Sequence, residues 1–415
     1  MSPVVYNDTL EAVNHILSVL DVLRQFKSLD TVLDRILLEA RRLTCADAGT
    51  IFMVEGGRLV FAHVHNDTLF SDEDVIKHGY LKASLPIDDT SISGYAANHG
   101  VVVSVDDAYA IAPSFPYQFN TRFDERTGYR TRSILALPIK SSTGSVIALM
   151  QIINSQSPDG QHVPFSAEDQ TLLNLLAGHA ASFIENAIVT RELVLRMNKM
   201  AELRDPSETG MHVQRVGAFA AEIYHRYAKL RGVADDEMKR RKDLLQIAAM
   251  LHDVGKVGVS DLILKKPGKL TFEEFETMKL HTLFGARLFA HPVSELDAMA
   301  YEVALYHHAK FDGSGYPGLV QNVMEDSLVG LVPLAGHDIP LSARIVSLAD
   351  VYDALASRRV YKPAFPEDMT LAIIRDGTGK HFDPDVVSAF FDIHDIILAI
   401  RDKFGNIASN QLLNT

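Results

Sequence analysis

The stretch AAMLHDVGK, residues 248–256, places an adjacent histidine and aspartate, His252 and Asp253, at the end of an apolar helical segment. Imidazole and carboxylate groups are costly to bury in such a segment unless something compensates for their lost hydration. Coordination of a metal ion is one such compensation. The pair alone is weak evidence for a metal site, so the prediction depends on further residues of the same chemistry.

Four more residues of the same chemistry follow, each near or at the end of an apolar helical run: His281, His307, His308 and Asp350. With His252 and Asp253 they make a set of imidazoles and carboxylates without a thiol, because the chain has a single cysteine, Cys45. Such a set suits iron, manganese or zinc. A lone cysteine also excludes a disulfide framework and favours a reducing cytoplasm.

The composition limits the classes of partner. The formal net charge of −13 argues against long nucleic acid, because a polyanion requires a basic surface. A small phosphate ligand requires only a local cluster of cations. The apolar runs are short and interrupted by charges, and the first residues have no basic segment before an apolar one, so we expect neither a membrane span nor a signal peptide.

The hydrophobic periodicity changes twice along the 415 residues, which predicts at least two domains. It is helical over about residues 10–43, then short and strand-like over 49–153, with a Gly-Gly turn in TIFMVEGGRLVFAHVH, residues 50–65. A long helix is expected from Ser166 to Arg204, ended by Asp205-Pro206, and the remainder reads as almost entirely helical. The expected architecture is an α/β domain around an antiparallel sheet, a long connector helix and an all-α bundle.

The second half of the chain resembles the HD-GYP family over residues 206–390. The resemblance rests on an ordered series of motifs: HDVGK, HTLFGA, HHAKFDGSGYPG, ARIVSLADVYDAL, SRRVYK and HFDPDVV. It implies an HD-domain phosphodiesterase that hydrolyses cyclic-di-GMP to pGpG and, in a second step, to GMP. Two alternatives remain: an enzyme for another cyclic dinucleotide such as cyclic GMP-AMP, and a receptor that binds a dinucleotide without hydrolysing it.

The resemblance also implies roles by position. Two metal ions, iron first and manganese next, would be held with Asp253 as the bridging ligand. The full set of implied ligands is His252, Asp253, His281, His307, His308 and Asp350. Two such ions clamp a phosphate and lower the pKa of a bound water. Five other histidines, at positions 225, 291, 337, 381 and 394, are interpreted as surface or packing residues.

Glu208 and His212 are four residues apart and would share one face of a helix. In the family, a first helix with an acidic and a histidine ligand completes a third metal position. The alternative for Glu208 is a capping residue, since Asp205-Pro206-Ser207-Glu208 has the pattern of a helix start; the metal role is favoured because Thr209-Gly210 and His212 complete the family's pattern.

Cations at short offsets from the implied ligands complete the predicted site. Lys256, Arg359 and Lys362 match family positions that contact the substrate phosphates, and Lys256 is placed with Asp253 as catalytic. Gly315 and Tyr316 lie in a loop after the histidine pair and are expected to contact the substrate, with the ring of Tyr316 against a guanine. The segment 319–338 is an insertion relative to the family and could act as a lid beside the pocket.

The first half resembles a GAF domain, through SISGYAANHGVVVSVDDA (residues 91–108) and RTRSILALPIKSSTGSVIALMQIIN (residues 130–154). The segment FNTRFDERTGYRTRSIL, residues 119–135, is similar to the stretch beside the ligand in cyclic-nucleotide-binding GAF domains. It suggests a cyclic mononucleotide bound by Asn120, Asp124, Thr127, Tyr129 and Thr131. The signature is partial, because Ser155 and Gln170 replace the family's Lys and Glu. A GAF domain used only for dimerisation and signal relay is the alternative.

These interpretations give an expected organisation. Residues 1–20 form an N-terminal helix, and residues 21–190 form the GAF domain, whose last helix continues as a connector to about 205. Residues 206–400 form the HD-GYP domain and residues 401–415 a tail. The long connector suggests a parallel homodimer.

Overall fold

The computed structural model describes residues 9–24, 26, 28–69, 84–202, 210–328, 330–357 and 364–412. The chain divides into two compact units, residues 1–189 and 190–415. Among the described residues the first unit contains a mixed set of helices and strands, and the second is helical. This is the multidomain architecture expected from the change in periodicity.

The first unit is built on a six-stranded antiparallel sheet with the strand order β3-β2-β1-β6-β5-β4. The strands are β1 (Ala46–Glu55), β2 (Arg58–Asn66), β3 (Ser84–Pro86), β4 (Val103–Val105), β5 (Ile134–Lys140) and β6 (Val146–Ser155). The helices are α1 (Thr9–Leu23), α2 (Leu29–Leu43), α3 (Ile92–His99), α4 (Arg122–Thr127) and α5 (Ala167–Glu202). An antiparallel sheet with flanking helices is what the resemblance to a GAF domain predicted.

One face of the sheet packs against α1, α2 and the first part of α5. The buried side chains there include Ile16, Ile36, Ile152 and Leu173. The opposite face has a smaller core around Phe52, Leu59 and Leu149 that also takes in side chains of α3. Because alternate residues of a strand point to opposite faces, these strands can serve two cores at once.

The single helix expected over residues 10–43 is two helices, α1 and α2. The break falls where Ser28 takes an extended conformation as the N-cap of α2, with φ −80° and ψ 135°. The long helix α5 begins as predicted, because Ser166 and Asp169 exchange hydrogen bonds at its start. Reciprocal bonds of this kind satisfy backbone donors that a helix terminus otherwise leaves unpaired.

Helix α5 is long and apolar enough over Ala167–Ala201 to cross a membrane by length and composition, and 44% of its most apolar window is buried in the protein. Buried core helices of globular proteins meet the same criteria, and α5 contributes Leu173, Leu176 and Ile184 to the core described above. Packing therefore accounts for part of its apolar composition.

The second unit is a bundle of helices. They are α6 (Gly210–Leu230), α7 (Asp235–Met250), α8 (Asp261–Leu264), α9 (Phe272–Lys279), α10 (His281–Arg287), α11 (Glu295–Tyr306), α12 (Leu341–Ala356), α13 (Glu367–Asp376), α14 (Pro384–Asp392) and α15 (His394–Leu412). Short 3₁₀ turns cover Val254–Gly258 and Gly336–Asp338. Helix α6 packs against α7, α12, α14 and α15 and so forms the centre of the bundle.

The core of the bundle is aromatic where α6, α12 and α14 meet. The ring of Tyr352 packs edge-on against Phe219 and Phe390, with centroids 5.4 and 5.1 Å apart. All three side chains are fully buried. This packing fixes α12 against α6, and those two helices bear residues of the site described next.

Candidate metal centre

Seven of the predicted metal ligands that the structure describes converge within the helical unit. One ligand atom from each residue lies within 4.8 Å of the others in each of two groups. The first group is Asp253, His281, His307 and His308, and the second is His212, His252 and Asp350. The spacing along the sequence predicted these residues, and the fold brings them to one place.

The site is assembled from the ends of helices. His252 and Asp253 follow α7, where the chain leaves the helix and enters a 3₁₀ turn. His281 is the first residue of α10, and His307 caps α11 at its C-terminal end. Asp350 lies within α12. Helix ends can present side chains into a bundle from several directions, which a single helix face cannot do.

Asp253 lies between the two groups and turns one oxygen toward each. Its Oδ1 is 3.3 Å from Nε2 of His281 and 3.6 Å from Nε2 of His307. Its Oδ2 is 3.2 Å from Nε2 of His252. A carboxylate with one oxygen in each ligand set has the arrangement required of a ligand that joins two cations.

The second group closes around the carboxylate of Asp350. Its Oδ1 lies 3.4 Å from Nε2 of His212 and 3.9 Å from Nε2 of His252. The rings of His212 and His252 approach edge-on, with centroids 5.6 Å apart. Three ligands, from α6, α12 and the end of α7, thus share one small volume.

Three of the histidines are anchored by hydrogen bonds from their outer nitrogens to backbone carbonyls. Nδ1 of His252 donates to the carbonyl of Ala249, Nδ1 of His281 donates to that of Met278, and Nδ1 of His307 donates to that of Val303. An outward hydrogen bond of this kind fixes the tautomer of a metal-binding histidine and leaves Nε2 with a free lone pair. Each Nε2 points into the site.

Three atoms that face the site are buried and have no hydrogen-bond partner among the described residues: Nε2 of His212, Nε2 of His252 and Oδ1 of Asp253. An unsatisfied buried polar atom costs about 1–3 kcal/mol. Three such atoms in one site would be an improbable packing arrangement. A divalent cation would satisfy all of them, so the residues present fit a metal centre.

The ionisation states also suit cation binding. Burial lowers the pKa of His281 to about 3 and, with repulsion from His307 and His281, lowers the pKa of His308 well below its usual value. Burial opposes ionisation of Asp253, yet the charges of Lys256 and His252 hold the pKa of its carboxyl well below the usual range. Neutral imidazoles and ionised carboxylates are the forms that bind metals.

His212 differs, because two carboxylates act on it. Burial favours its neutral form, but close contact with the carboxylates of Asp350 and Asp353 and attraction to their charges raise its pKa to about 10. His212 is therefore protonated when no cation neutralises the two carboxylates. Protons and metal ions would compete for the same nitrogen.

Asp353 and Arg215 support His212 from behind. Oδ2 of Asp353 accepts a hydrogen bond from Nδ1 of His212 at 2.7 Å, and both of its oxygens accept from the guanidinium of Arg215, at 2.5 and 2.8 Å. Sequence reasoning missed these two residues. The available signal was helical spacing. Arg215 follows His212 by three residues and Asp353 follows Asp350 by three, so each lies on the same helix face as the ligand that precedes it.

Lys256 lies at the edge of the site, with Nζ 2.8 Å from Oδ2 of Asp253. The turn that bears it lies against α10, and Gly255 makes that contact possible. A Cβ at Gly255 would lie 1.9 Å from the carbonyl oxygen of His281 and 2.3 Å from the amide nitrogen of Gly285. The glycine of the HDVGK motif therefore serves close backbone packing.

Tyr316 lies beside the first ligand group. Its ring centroid is 4.8 Å from that of His308, and burial raises the pKa of its hydroxyl. Gly315 is pressed against the histidine pair, since a Cβ there would lie 2.3 Å from the amide nitrogen of Lys310 and 2.5 Å from the carbonyl oxygen of His308. The loop after the pair is thus packed onto it, with Tyr316 at the entrance.

The insertion 319–338 is anchored to α10. Val323 is buried in a small core with Leu283 and Ile339. Arg287 donates to the carbonyl of Val323 and to the carboxylate of Asp326. Because α10 begins at His281, these contacts attach the insertion to a helix of the candidate centre.

Three predicted site residues, Glu208, Arg359 and Lys362, lie outside the described residues.

In the first unit, the residues predicted to bind a cyclic mononucleotide form an internal hydrogen-bond network. Asp124 is buried and accepts from Thr131, through the backbone nitrogen at 2.7 Å and the hydroxyl at 2.9 Å. The hydroxyl of Tyr129 donates to Asp47 at 2.6 Å. The hydroxyl of Thr127 donates to the carbonyl of Phe123, and Asn120 accepts from the backbone of Arg122. These bonds hold the segment 120–131 in place.

Comparison with known proteins supports both units. The GAF domain family matches residues 28–184, and the HD domain family matches residues 209–355, with a second HD match over 332–386.

Three relatives illustrate the second unit. A cyclic di-GMP phosphodiesterase of Vibrio cholerae is 42% identical over 225 residues, which are 53% of this chain and 43% of that protein. A 3'3'-cGAMP-specific phosphodiesterase 2 of the same organism is 37% identical over 51% of this chain and 36% of its own length.

The third relative, a cyclic di-GMP phosphodiesterase of Thermotoga maritima, is 38% identical over 53% of this chain and 54% of its own length. The match therefore spans about half the length of these curated relatives or less. Within that span, the ordered motifs, the helical fold and the converging ligand groups are all consistent with an HD domain. The chain joins a GAF domain to an HD domain, and the motifs of its HD domain resemble those of the HD-GYP family.

Proposed function

We propose that this protein is a metal-dependent phosphodiesterase that hydrolyses cyclic-di-GMP to linear pGpG, with GMP as the product of a second cut. The observation that carries the proposal is the position of Asp253, whose two carboxylate oxygens face two separate ligand groups. Relatives of the HD unit named as cyclic di-GMP phosphodiesterases supply the substrate class.

Divalent ions, iron first and manganese next, would supply Lewis acidity toward a phosphate and toward water when bound. The implied ligands are His252, Asp253, His281, His307, His308 and Asp350, with His212 and Glu208 at a third position. The protein's own residues supply the remainder. The ammonium of Lys256 stabilises the charge that grows on the phosphate as the bond breaks. Arg359 and Lys362 bind the second phosphate, and Tyr316 lies against a base.

A second candidate substrate is cyclic GMP-AMP. It is favoured by the relative that is named as specific for 3'3'-cGAMP and is 37% identical to this chain. Both substrates need the same metal chemistry and differ in one base, so discrimination between them would be made where the bases bind. A receptor without activity is disfavoured, since the described ligands and Lys256 all converge.

The full chain, loaded with Mn²⁺ or Fe²⁺ under reducing conditions, is expected to convert cyclic-di-GMP to pGpG, and a chelator is expected to stop the reaction. Chromatography of the products from cyclic-di-GMP, cyclic GMP-AMP and cyclic-di-AMP measures both activity and preference. A metal-loaded protein that binds cyclic-di-GMP without cleaving it would make it a receptor instead.

We also propose that the GAF domain regulates the enzyme and that the chain is a cytoplasmic homodimer. Exposed apolar residues of α5 at Val189, Leu193 and Met200 are spaced by four and seven, the spacing of a coiled-coil seam. Their exposed fractions are 55%, 54% and 64%. A parallel pairing of α5 with its copy would bury this stripe and couple the two sensor domains to the helix that leads to the enzyme.

Cyclic AMP or cyclic GMP is expected to bind the full chain and to change its turnover of cyclic-di-GMP, because a regulator must favour one of two arrangements of the connector. Calorimetry and rate measurements with and without each nucleotide test this, with a chain that begins near Leu193 as the unregulated control. Equal rates under all conditions, without nucleotide binding, would reduce the GAF domain to a dimerisation module.

A further inference from the structure

A cluster of aromatic and charged side chains on α9 borders the candidate metal centre and is not used by the proposed chemistry. Phe275 and Lys279 are four residues apart on α9 and face the same way. The ring of Phe275 stands nearly perpendicular to that of Tyr316, at a centroid distance of 6.2 Å and an interplanar angle of 84°. Two rings at such an angle make a corner between them.

The ammonium of Lys279 lies at this corner. Its Nζ is 5.1 Å from the ring centroid of Phe275 and 5.4 Å from that of Tyr316, within the range of cation–π attraction for both. It also forms an ion pair of 2.6 Å with Oε1 of Glu276. A donor-only group and an acceptor-only group are thus adjacent beside two aromatic rings.

The corner is next to the predicted metal ligands. The ring centroid of Tyr316 is 4.8 Å from that of His308 and 6.5 Å from that of His281. Helix α9 leads through Leu280 directly into α10, which begins at His281. A phosphate held at the centre would therefore place its attached nucleoside within reach of the corner.

Exposure indicates that the corner is open to a ligand. Phe275 is 43% exposed although it adjoins a polar site. A flat nucleobase stacked on it would remove that apolar surface from water, and base–aromatic stacking contributes about 1–3 kcal/mol. The Lys279–Glu276 pair then selects among bases by hydrogen bonding.

The chemistry of the pair fits guanine. Guanine presents the acceptors O6 and N7 and the donor amino group N2, whereas adenine presents a donor amino group where guanine has O6. The ammonium of Lys279 can donate to O6 or N7, and the carboxylate of Glu276 can accept from N2. Adenine would place its amino donor against the ammonium, which has no acceptor.

We propose that Phe275, Glu276 and Lys279, together with Tyr316, form the subsite that selects a guanine base of the substrate. This inference rests on the proposed phosphodiesterase function and names its specificity-determining residues.

The test compares Lys279→Met with wild type on two substrates. For cyclic-di-GMP, KM is expected to rise about tenfold, or about 1.4 kcal/mol, with kcat within about twofold, because a base contact is made equally in the ground state and the transition state. For methyl p-nitrophenyl phosphate, which has no nucleobase, kcat/KM is expected to be unchanged. Phe275→Ala should raise KM for cyclic-di-GMP in the same way and leave kcat/KM for methyl p-nitrophenyl phosphate unchanged. Phe275→Tyr should retain the wild-type KM.

The matched control is Lys265→Met, because Lys265 forms an exposed pair with Asp261 on the neighbouring helix α8. Unchanged KM for cyclic-di-GMP in both Lys279→Met and Phe275→Ala would overturn the subsite. The subsite would also be overturned if both variants lost as much kcat/KM on methyl p-nitrophenyl phosphate as on cyclic-di-GMP. If wild type cleaves neither substrate, the proposed function has failed; the subsite is then judged by calorimetry, where tighter binding of GMP than AMP supports it and equal binding rejects it.

Discussion

Replacing Asp253 by alanine is expected to abolish phosphodiesterase activity and to remove bound metal in the same step. The carboxylate faces His281 and His307 with one oxygen and His252 with the other. Its loss would leave two cations in one site without the anion between them, and their mutual repulsion would no longer be offset. Metal content by elemental analysis and turnover of cyclic-di-GMP measure the two effects on the same preparation.

The control for this change is Asp385→Ala. Asp385 pairs with Arg231 on the surface of the same unit, at 2.5 Å, and exposed pairs contribute about 0–1 kcal/mol. It should keep full metal content and full activity. An Asp253→Ala protein that is depleted of metal and still turns over at the wild-type rate would contradict the assignment of the centre.

Replacing Lys256 by methionine is expected to lower kcat by about 10²–10³ while leaving metal content unchanged, the loss typical of removing one preorganised group that stabilises developing charge. Methionine retains most of the aliphatic volume and removes the ammonium. Lys256 lies 2.8 Å from Asp253 at the edge of the site, where its charge can reach a bound phosphate.

Two results would contradict that role. Unchanged kcat would place Lys256 among solvated surface charges, and loss of metal in step with activity would make it a structural partner of Asp253. The control variant Lys265→Met removes an ammonium from the same unit without approaching the centre.

The sequence was sufficient to predict the candidate centre because its residues lie at helix ends in a fixed order. HDVGK, HTLFGA, HHAKFDGSGYPG and SLADVYDAL each contribute one or two of the converging side chains. The helical period located those helices, and the end of an apolar run showed where a polar side chain would turn into the bundle. The antiparallel sheet was equally visible from its short runs and turns.

Other features depend on contacts between distant segments and could not be read from the sequence. Helical spacing places Arg215 beside His212 and Asp353 beside Asp350, but the pairing of Asp353 with His212 and Arg215 joins residues 138 or more positions apart. The division of labour between the two oxygens of Asp253 is a property of three-dimensional packing. The break between α1 and α2 arises at Ser28, where the amphipathic pattern continues across an extended residue.

The candidate ligand residues of the GAF domain also show how far a sequence motif can predict function. Asp124, Tyr129 and Thr131 were selected from a motif, and the structure gives each a buried hydrogen bond within the chain. A motif specifies residue types, and the types that bind a nucleotide also hold a loop. Regulation by a cyclic mononucleotide therefore remains a proposal to be tested by binding.

A third metal position at Glu208 and His212 is a proposal that rests on the family resemblance. Glu208→Ala is expected to reduce the number of bound ions from three to two, since the resemblance makes its carboxylate a ligand of the third ion. If wild type and variant hold two ions each, Glu208 is a helix-capping residue.

The central claim is that Asp253 joins two cation sites. Anomalous X-ray diffraction from crystals of the Mn²⁺-loaded full chain tests it most directly, because it locates each ion independently of activity. The account predicts one peak at the His281–His307–His308 group and another at the His252–Asp350 group, each contacted by a different oxygen of Asp253, besides the third ion proposed at His212. A single peak, or two peaks that do not share Asp253, would contradict it.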